Sequence, residues 1–349
     1  MKPVCHFRPF TWNLGMLFIL CIFILSISAG YAQSLTPTAP PSTPNEPHAI
    51  SVTSELVVLP VNVTDTNGNF VAGLTENNFH VYEEKRLQDL ALFQREDAPV
   101  SVGLIVDHSG SMQLKLPNVI TAISSFAHSG NPEDEMFVVD FNDKVMVESL
   151  NGKPFTNDSD ELGKAVEAVS AQGRTALYDA VAEGLNHLRE SHLQRKALIV
   201  ISDGGDNASH CKRSDIIALA RQSQVMIYSI ALEDEFTKDQ DPKLLRQLSE
   251  DTGGVAFFPE SQQSVIDSSA QIAVDLRDQY VLGFVPEKNA NRNPFHKVQV
   301  KVTTAENGKL RVRTRAGYSV PSETAALPVV QENASMASLS ADAMGKNLR

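Results

Sequence analysis

The chain has 349 residues, of which 42% are hydrophobic and 21% charged, and its formal net charge is -12. That length exceeds the roughly 100 to 200 residues of one ordinary domain, so it fits two domains or one with additions. A surface of this sign repels phosphate instead of releasing its counterions, which argues against nucleic acid and anionic membrane as partners.

Residues 1–32 read as a secretory signal: basic Lys2 and Arg8, the apolar stretch from Leu14 to Ile27, then small Gly30 and Ala32, with cleavage after Ala32. The apolar run is shorter than the ~20 residues that span hydrocarbon comfortably. Left uncleaved, it would anchor the chain to a membrane. No small residue precedes Cys21, so a lipoprotein signal is not indicated. Without this leader the charge becomes about -14, since it carries Lys2 and Arg8 and no acid. Cys5 and Cys21 leave with it, so the mature protein, secreted or periplasmic, is expected to hold Cys211 as a partly buried free thiol with no internal disulfide.

Residues 33–48 are rich in Pro, Ser and Thr and form a linker too poor in apolar area to fold. Residues 49–97 read as all β. Val57, Leu59, Val61 and Val63 share one face of a strand that Pro60 places at a sheet edge. Asn67-Gly68 supplies a turn, Phe70 to Ala72 a short strand, and Phe79 to Tyr82 and Leu90 to Phe93 two more.

From residue 98 to 279 strands and helices alternate. Val102 to Val106, Met136 to Phe141, Ala197 to Ile201 and Val225 to Leu232 are nearly continuous apolar runs, as expected of parallel strands covered on both faces. Between them lie helical stripes: Leu116 to Ala127 with Pro117 in its first turn, Glu161 to Ala171, Leu177 to Leu188, Ile216 to Ala220 and Leu244 to Leu248. A last helix spans Gln262 to Gln279. Strand patterns return in residues 280–320, from Tyr280 to Val285, Val298 to Val302 and Leu310 to Val312, and residues 321–349 read as a disordered tail. The fold class is therefore α/β: a doubly wound, mostly parallel sheet, inserted into a small β-sandwich built by the two flanks, neither of which closes a core alone.

Ligands of open α/β sheets bind beyond the carboxyl ends of the strands. Asp107 and Asp203 each end an apolar run, Thr175 opens a helical stripe, and Ser109 and Ser111 alternate on the loop after Asp107. All five side chains offer oxygen, which favours a hard cation, Mg²⁺ or Mn²⁺, over Zn²⁺. The plain alternative is that Asp107, Ser109 and Ser111 cap the helix that follows. Arg174, Asp179 and Asp206 stand nearby as supporting or partner-contacting groups, although Asp206 is equally a turn residue and Asp179 a solvated helix residue. His108 reads as an exposed loop residue, neither ligand nor base.

The stretches Val102 to Met112, Gly173 to Ala180 and Val200 to Asp206 resemble the von Willebrand factor type A (VWA) domain with a complete metal-ion-dependent adhesion site, and the flanks resemble a bacterial family of secreted proteins with this domain. The resemblance implies a Rossmann-like fold. It further implies that Ser109 and Ser111 hold the ion directly, Thr175 directly or through water, and Asp107 and Asp203 largely through water, with an Asp or Glu of a partner protein completing the shell. A binding module is then expected, with no small-molecule substrate. The competing readings are a metal-dependent hydrolase using His108 or Asp206 to move a proton, and a scaffold that leaves the site unused. No Gly-x-Ser-x-Gly elbow, Walker loop or paired His ligands support an enzyme. Because Asp107 sits at a strand end, Asp107→Ala is expected to cost little more than a lost cap, ~1 kcal/mol.

Overall fold

The computed structural model describes residues 56–95, 98–148, 150–232, 241–286, 295–304 and 309–319. The leader, the linker and the C-terminal tail lie outside these residues.

Four strands precede the α/β part: β1 (Val57–Thr64), β2 (Phe79–Glu83), β3 (Arg86–Gln88) and β4 (Leu90–Gln94). Then come β5 (Val100–Asp107), α1 (Leu116–His128), β6 (Glu135–Phe141), β7 (Val145–Val147), α2 (Ser159–Glu167) and α3 (Leu177–His187). β8 (Arg195–Ser202), α4 (Arg213–Gln222), β9 (Met226–Ala231), α5 (Pro242–Thr252), β10 (Ala256–Phe257) and α6 (Gln262–Arg277) complete it. The chain closes with β11 (Tyr280–Phe284), β12 (Phe295–Val302), β13 (Arg311–Arg313) and β14 (Gly317–Ser319).

The central sheet has the order β10-β9-β8-β5-β6-β7, parallel except for β7. All eight residues of β5 are buried, because helices cover both faces of the sheet and leave no polar side to alternate with. The chain steps from β5 to β6 on one side and returns to β8 on the other, so strand order reverses at the carboxyl end of β5. That is where Asp107 stands. The second helix starts at Ser159, where Asp158 accepts from the N–H groups of Asp160 and Glu161, and ends at Glu167, short of the expected Ala171. The chain is then drawn to the sheet's end, where Gln172 N donates to His108 O at 2.8 Å.

Both flanks contribute to both remaining sheets, of order β13-β1-β11-β4 and β14-β12-β2-β3. Strand β1 runs antiparallel to β11 from Val57↔Phe284 to Val61↔Tyr280, and β2 to β12 through Val81↔Val300. Leu59, Val61, Phe79, Val81, Tyr280, Leu282 and Phe284 form a separate sandwich core, with the Phe79 and Tyr280 rings 5.0 Å apart. The α/β part is thus an insertion between two halves of one sandwich.

Two local expectations are corrected. Strand β1 is interior to its sheet, not at its edge; however, β13 pairs only with Asn62 to Thr64, so Pro60 lies in the half of β1 whose only described neighbour is β11. A missing N–H costs nothing on that open side. Phe70 to Ala72 is not a strand: Phe70 makes a single bridge to Thr64, and the chain leaves after Val71 N bonds Val63 O. Cys211 lies in the loop after β8. Its side chain is partly buried against the core of the α/β part.

The insertion and the sandwich are tied by buried polar contacts. Asn62 Nδ2 donates to Asp275 O at 2.8 Å, and Arg313 Nη2 meets the 4% exposed Asp275 at Oδ2, 2.6 Å away. Arg315, pushed down to about 10 by burial, donates to the carbonyls of Gly317, Arg221 and Ser223, the last two at the end of α4.

Candidate functional site

Three loops meet at the carboxyl end of the central sheet, joined by hydrogen bonds. Gly110 N donates to Gly173 O at 3.2 Å, linking the loop after β5 to the one before α3. Asn207 N and Ala208 N both donate to Thr175 O, and Thr175 N donates to Asn207 Oδ1 at 2.9 Å, linking that loop to the one after β8. Ser202 Oγ donates to Asp107 Oδ2 at 2.6 Å, joining the ends of β5 and β8. Gly173 makes the turn in the left-handed region at φ 82°, and a Cβ there would sit 2.1 Å from Asp143 Oδ2.

The five expected oxygen donors stand on these loops. Asp107 ends β5 fully buried, accepting Ser109 N at 2.8 Å as well as the Ser202 hydroxyl. Burial pushes it up to about 6 against the pull of those bonds. A nearby cation favours the ionised form. Ser109 and Ser111 hold their hydroxyls 3.1 Å apart. Neither caps a helix: Ser109 precedes the short 3₁₀ turn Gly110–Met112 without a side-chain cap bond, and α1 starts later, at Leu116. Thr175 is 6% exposed and lies just before α3, whose N-terminal flank is Ala176. Asp203 follows β8 and is 2% exposed; its Oδ1 accepts Gly205 N at 3.2 Å, while its buried Oδ2 has no hydrogen-bond partner.

The surrounding candidates have other engagements. Arg174 is exposed, with its Nε 2.7 Å from Asp143 Oδ1, and the backbone and side-chain bonds from Arg174 hold that carboxyl below its usual range. Asp206 accepts Tyr178 N and the Ser209 hydroxyl, bracing the start of α3. Asp179 accepts His210 N, His210 Nδ1 and Cys211 N, which outweigh burial and hold its carboxyl low. Both acids therefore organise the loop after β8.

His108 is the clearest correction. It is fully buried, not exposed: Nδ1 lies 2.9 Å from Asp140 Oδ1 and Nε2 3.1 Å from Val166 O. Burial pushes the imidazole down, and the bond and attraction to Asp140 more than offset it, so the ring sits above its usual range. Burial in turn raises Asp140, which abuts Glu148. The signal for this cluster was an acid inside the apolar run Met136 to Phe141, which periodicity alone treats as core.

Chemically, the crest offers two carboxylates and three hydroxyls. Among the described residues no cluster of three or more His, Cys, Asp or Glu is placed to hold a metal ion, so any cation site here depends on hydroxyl donors. The donor set suits such an ion: Asp203 Oδ2 is buried without a hydrogen-bond partner, and the paired Ser109 and Ser111 hydroxyls have no capping duty. His108 turns both ring nitrogens to internal partners, and Asp206 Oδ2 is engaged by Tyr178 N and the Ser209 hydroxyl.

Residues 102–205 match the profile of the von Willebrand factor type A domain. A protein of Borreliella burgdorferi (strain ATCC 35210 / DSM 4680 / CIP 102532 / B31), described as uncharacterized, is 23% identical over 160 residues, covering 36% of this chain and 47% of that protein. The chain thus spans about half the length of this curated relative. Among solved structures, the conserved hypothetical protein BatB from Bacteroides thetaiotaomicron aligns with a TM-score of 0.40 and 17% identity, over 50% of this chain and 98% of that one. A von Willebrand factor type A protein from Catenulispora acidiphila aligns with a TM-score of 0.45 and 15% identity, over 77% and 75% of the two chains.

Proposed function

We propose that this protein is a divalent-cation-dependent protein-binding module acting outside the cytoplasm, in which Mg²⁺ or Mn²⁺ at the crest coordinates an Asp or Glu of a partner protein. The observation that carries this reading is the unpartnered, buried Oδ2 of Asp203 on a loop hydrogen-bonded to that of Thr175, which in turn is bonded to the loop bearing Ser109 and Ser111. In this reading Ser109 and Ser111 hold the ion through their hydroxyls, Thr175 directly or through water, and Asp107 and Asp203 largely through water. The ion supplies a Lewis-acidic position for the partner's carboxylate. Arg174, exposed beside Thr175, is paired with Asp143 and would have to exchange that partner to meet an acidic one. The alternative as a hydrolase is weaker, since it needs a base at the crest and His108 points away. Delivery across a membrane rests on residues 1–32 acting as a signal peptide, which N-terminal sequencing of the protein from culture would establish.

The test is direct. Isothermal titration should show Mg²⁺ or Mn²⁺ binding, and the chelated protein should stay folded, because β-strand ends and loop hydrogen bonds build the crest without the ion. Thr175→Ala should weaken binding, and Thr175→Ser much less, since the hydroxyl is kept. A pull-down from the native envelope fraction, with Mg²⁺ and with chelator in parallel, then seeks the partner. Titration without heat or saturation at millimolar Mg²⁺ and Mn²⁺ would remove the cation from the function.

A further inference from the structure

The residue between the expected donors of the first loop is a buried histidine whose four polar groups are all committed. His108 N donates to Phe141 O at 2.7 Å, and His108 O accepts Gln172 N at 2.8 Å. The ring reaches Asp140 on β6 with Nδ1 and the carbonyl of Val166 with Nε2. Val166 lies in the last turn of α2, where carbonyls have no partner within the helix, so the imidazole caps that end. Packing alone does not account for this choice. A fully buried imidazole beside a carboxylate that is 3% exposed is costly unless each is bonded, and an apolar residue would fill the same space without that requirement.

What the ring fixes is the spacing of two loops. Bonds from Gln172 N to His108 O and from Gly110 N to Gly173 O are two rungs between residues 108–110 and 172–173. Ser109 lies between rung positions 108 and 110, and Thr175 stands two residues beyond Gly173. A shift of His108 therefore moves the Ser109 and Ser111 hydroxyls and the Thr175 hydroxyl relative to one another. We propose that His108 is a positioning residue, whose ring, held by Asp140 and Val166, sets the distance between the hydroxyl donors of the two loops. This rests on the cation-binding reading above, and it assigns to this chain a supporting group that acts on the ion only through its neighbours.

Outer partners of metal ligands typically contribute roughly 10- to 100-fold in affinity. His108→Ala should lose Mg²⁺ affinity in about that range, His108→Gln should recover part of it by keeping one amide donor, and Asp140→Asn should stay near wild type because it keeps an acceptor for Nδ1. Val300→Ala, in the sandwich core, is the control: it lowers the melting temperature without changing Mg²⁺ affinity. Amide exchange by mass spectrometry on the metal-free full chain is the second measurement. Peptides covering residues 108–112 and 172–176 should exchange faster in His108→Ala and not in Val300→Ala. If His108→Ala does not fold, His108→Gln carries both measurements. Wild-type Mg²⁺ affinity together with wild-type exchange in the folded His108 variant overturns the proposal. If the wild-type protein binds no Mg²⁺, the cation reading fails by itself, and exchange at these two segments decides whether His108 positions them.

Discussion

Asp203→Asn should make the metal-free protein more stable and abolish its Mg²⁺-dependent binding. The Asp203 carboxylate is 2% exposed, with Oδ1 bonded to Gly205 N and Oδ2 bonded to nothing. An unsatisfied buried polar atom costs about 1–3 kcal/mol, and more when it bears charge. Asparagine keeps the acceptor for Gly205 N and removes the charge but still leaves a polar atom unpartnered, so urea melts in chelator should shift upward only by the extra cost that the charge added. Titration with Mg²⁺ should show no binding, because one of the two acids that balance the ion is gone. A variant that is less stable and still binds would mean that Asp203 serves the fold and not a ligand. Asp107 is a poorer probe than the sequence implied. The strand-end position suggests that Asp107→Ala costs little more than a cap, but the side chain is fully buried, and its loss leaves Ser109 N and the Ser202 hydroxyl without their acceptor. The cost becomes about 1–3 kcal/mol for each group so stranded.

Arg313→Ala should be among the most damaging substitutions outside the hydrophobic cores. Its guanidinium, on β13 of the sandwich, is the charged partner of Asp275 on α6, at 2.6 Å. Removing one member of a fully buried pair costs about 3–5 kcal/mol, and since the Arg313 side chain is 26% exposed the loss here should fall below that while still stranding the buried Asp275 charge. Because Asp275 O also accepts Asn62 Nδ2, the loss falls at the seam between sandwich and insertion. Double substitution with Asp275→Asn should recover much of the stability by removing the stranded charge. Equal chemical melts for Arg313→Ala and wild type would show that the seam carries no weight.

Much of the fold was legible because burial on both faces writes itself as uninterrupted apolar runs, and β5, β6, β8 and β9 are such runs. Helix α1 was legible through its stripe and its early proline. The hairpin between β2 and β3 was not: its two turn residues, Glu84 and Lys85, adopt positive φ of 46° and 70° where Asn-Gly would have announced the turn. Lys297 N donating to the Glu84 side chain at 2.8 Å helps to hold that conformation. At the site, residue types and spacing pointed to the loops that meet. They could not reveal His108, because whether a loop residue turns outward or inward depends on Asp140 and Val166, which only the tertiary structure brings to it.

The interruption of the sandwich by the α/β part also sets an order of events during synthesis. Leu74 N bonds the Tyr280 hydroxyl across 206 positions, and β1 finds β11 only after the whole insertion has been made. Until then Leu59, Val61 and Val63 have no facing core, whereas β5 and β6 pair soon after one helix. Closing so long a loop is slow when the chain is unfolded and faster once the insertion has brought its own ends together. Pulse-labelled exchange during refolding should therefore protect the amides of β5 and β8 before those of β1. Until β11 arrives, the nascent amino-terminal strands present an unpaired apolar edge, the kind of surface on which chaperones act.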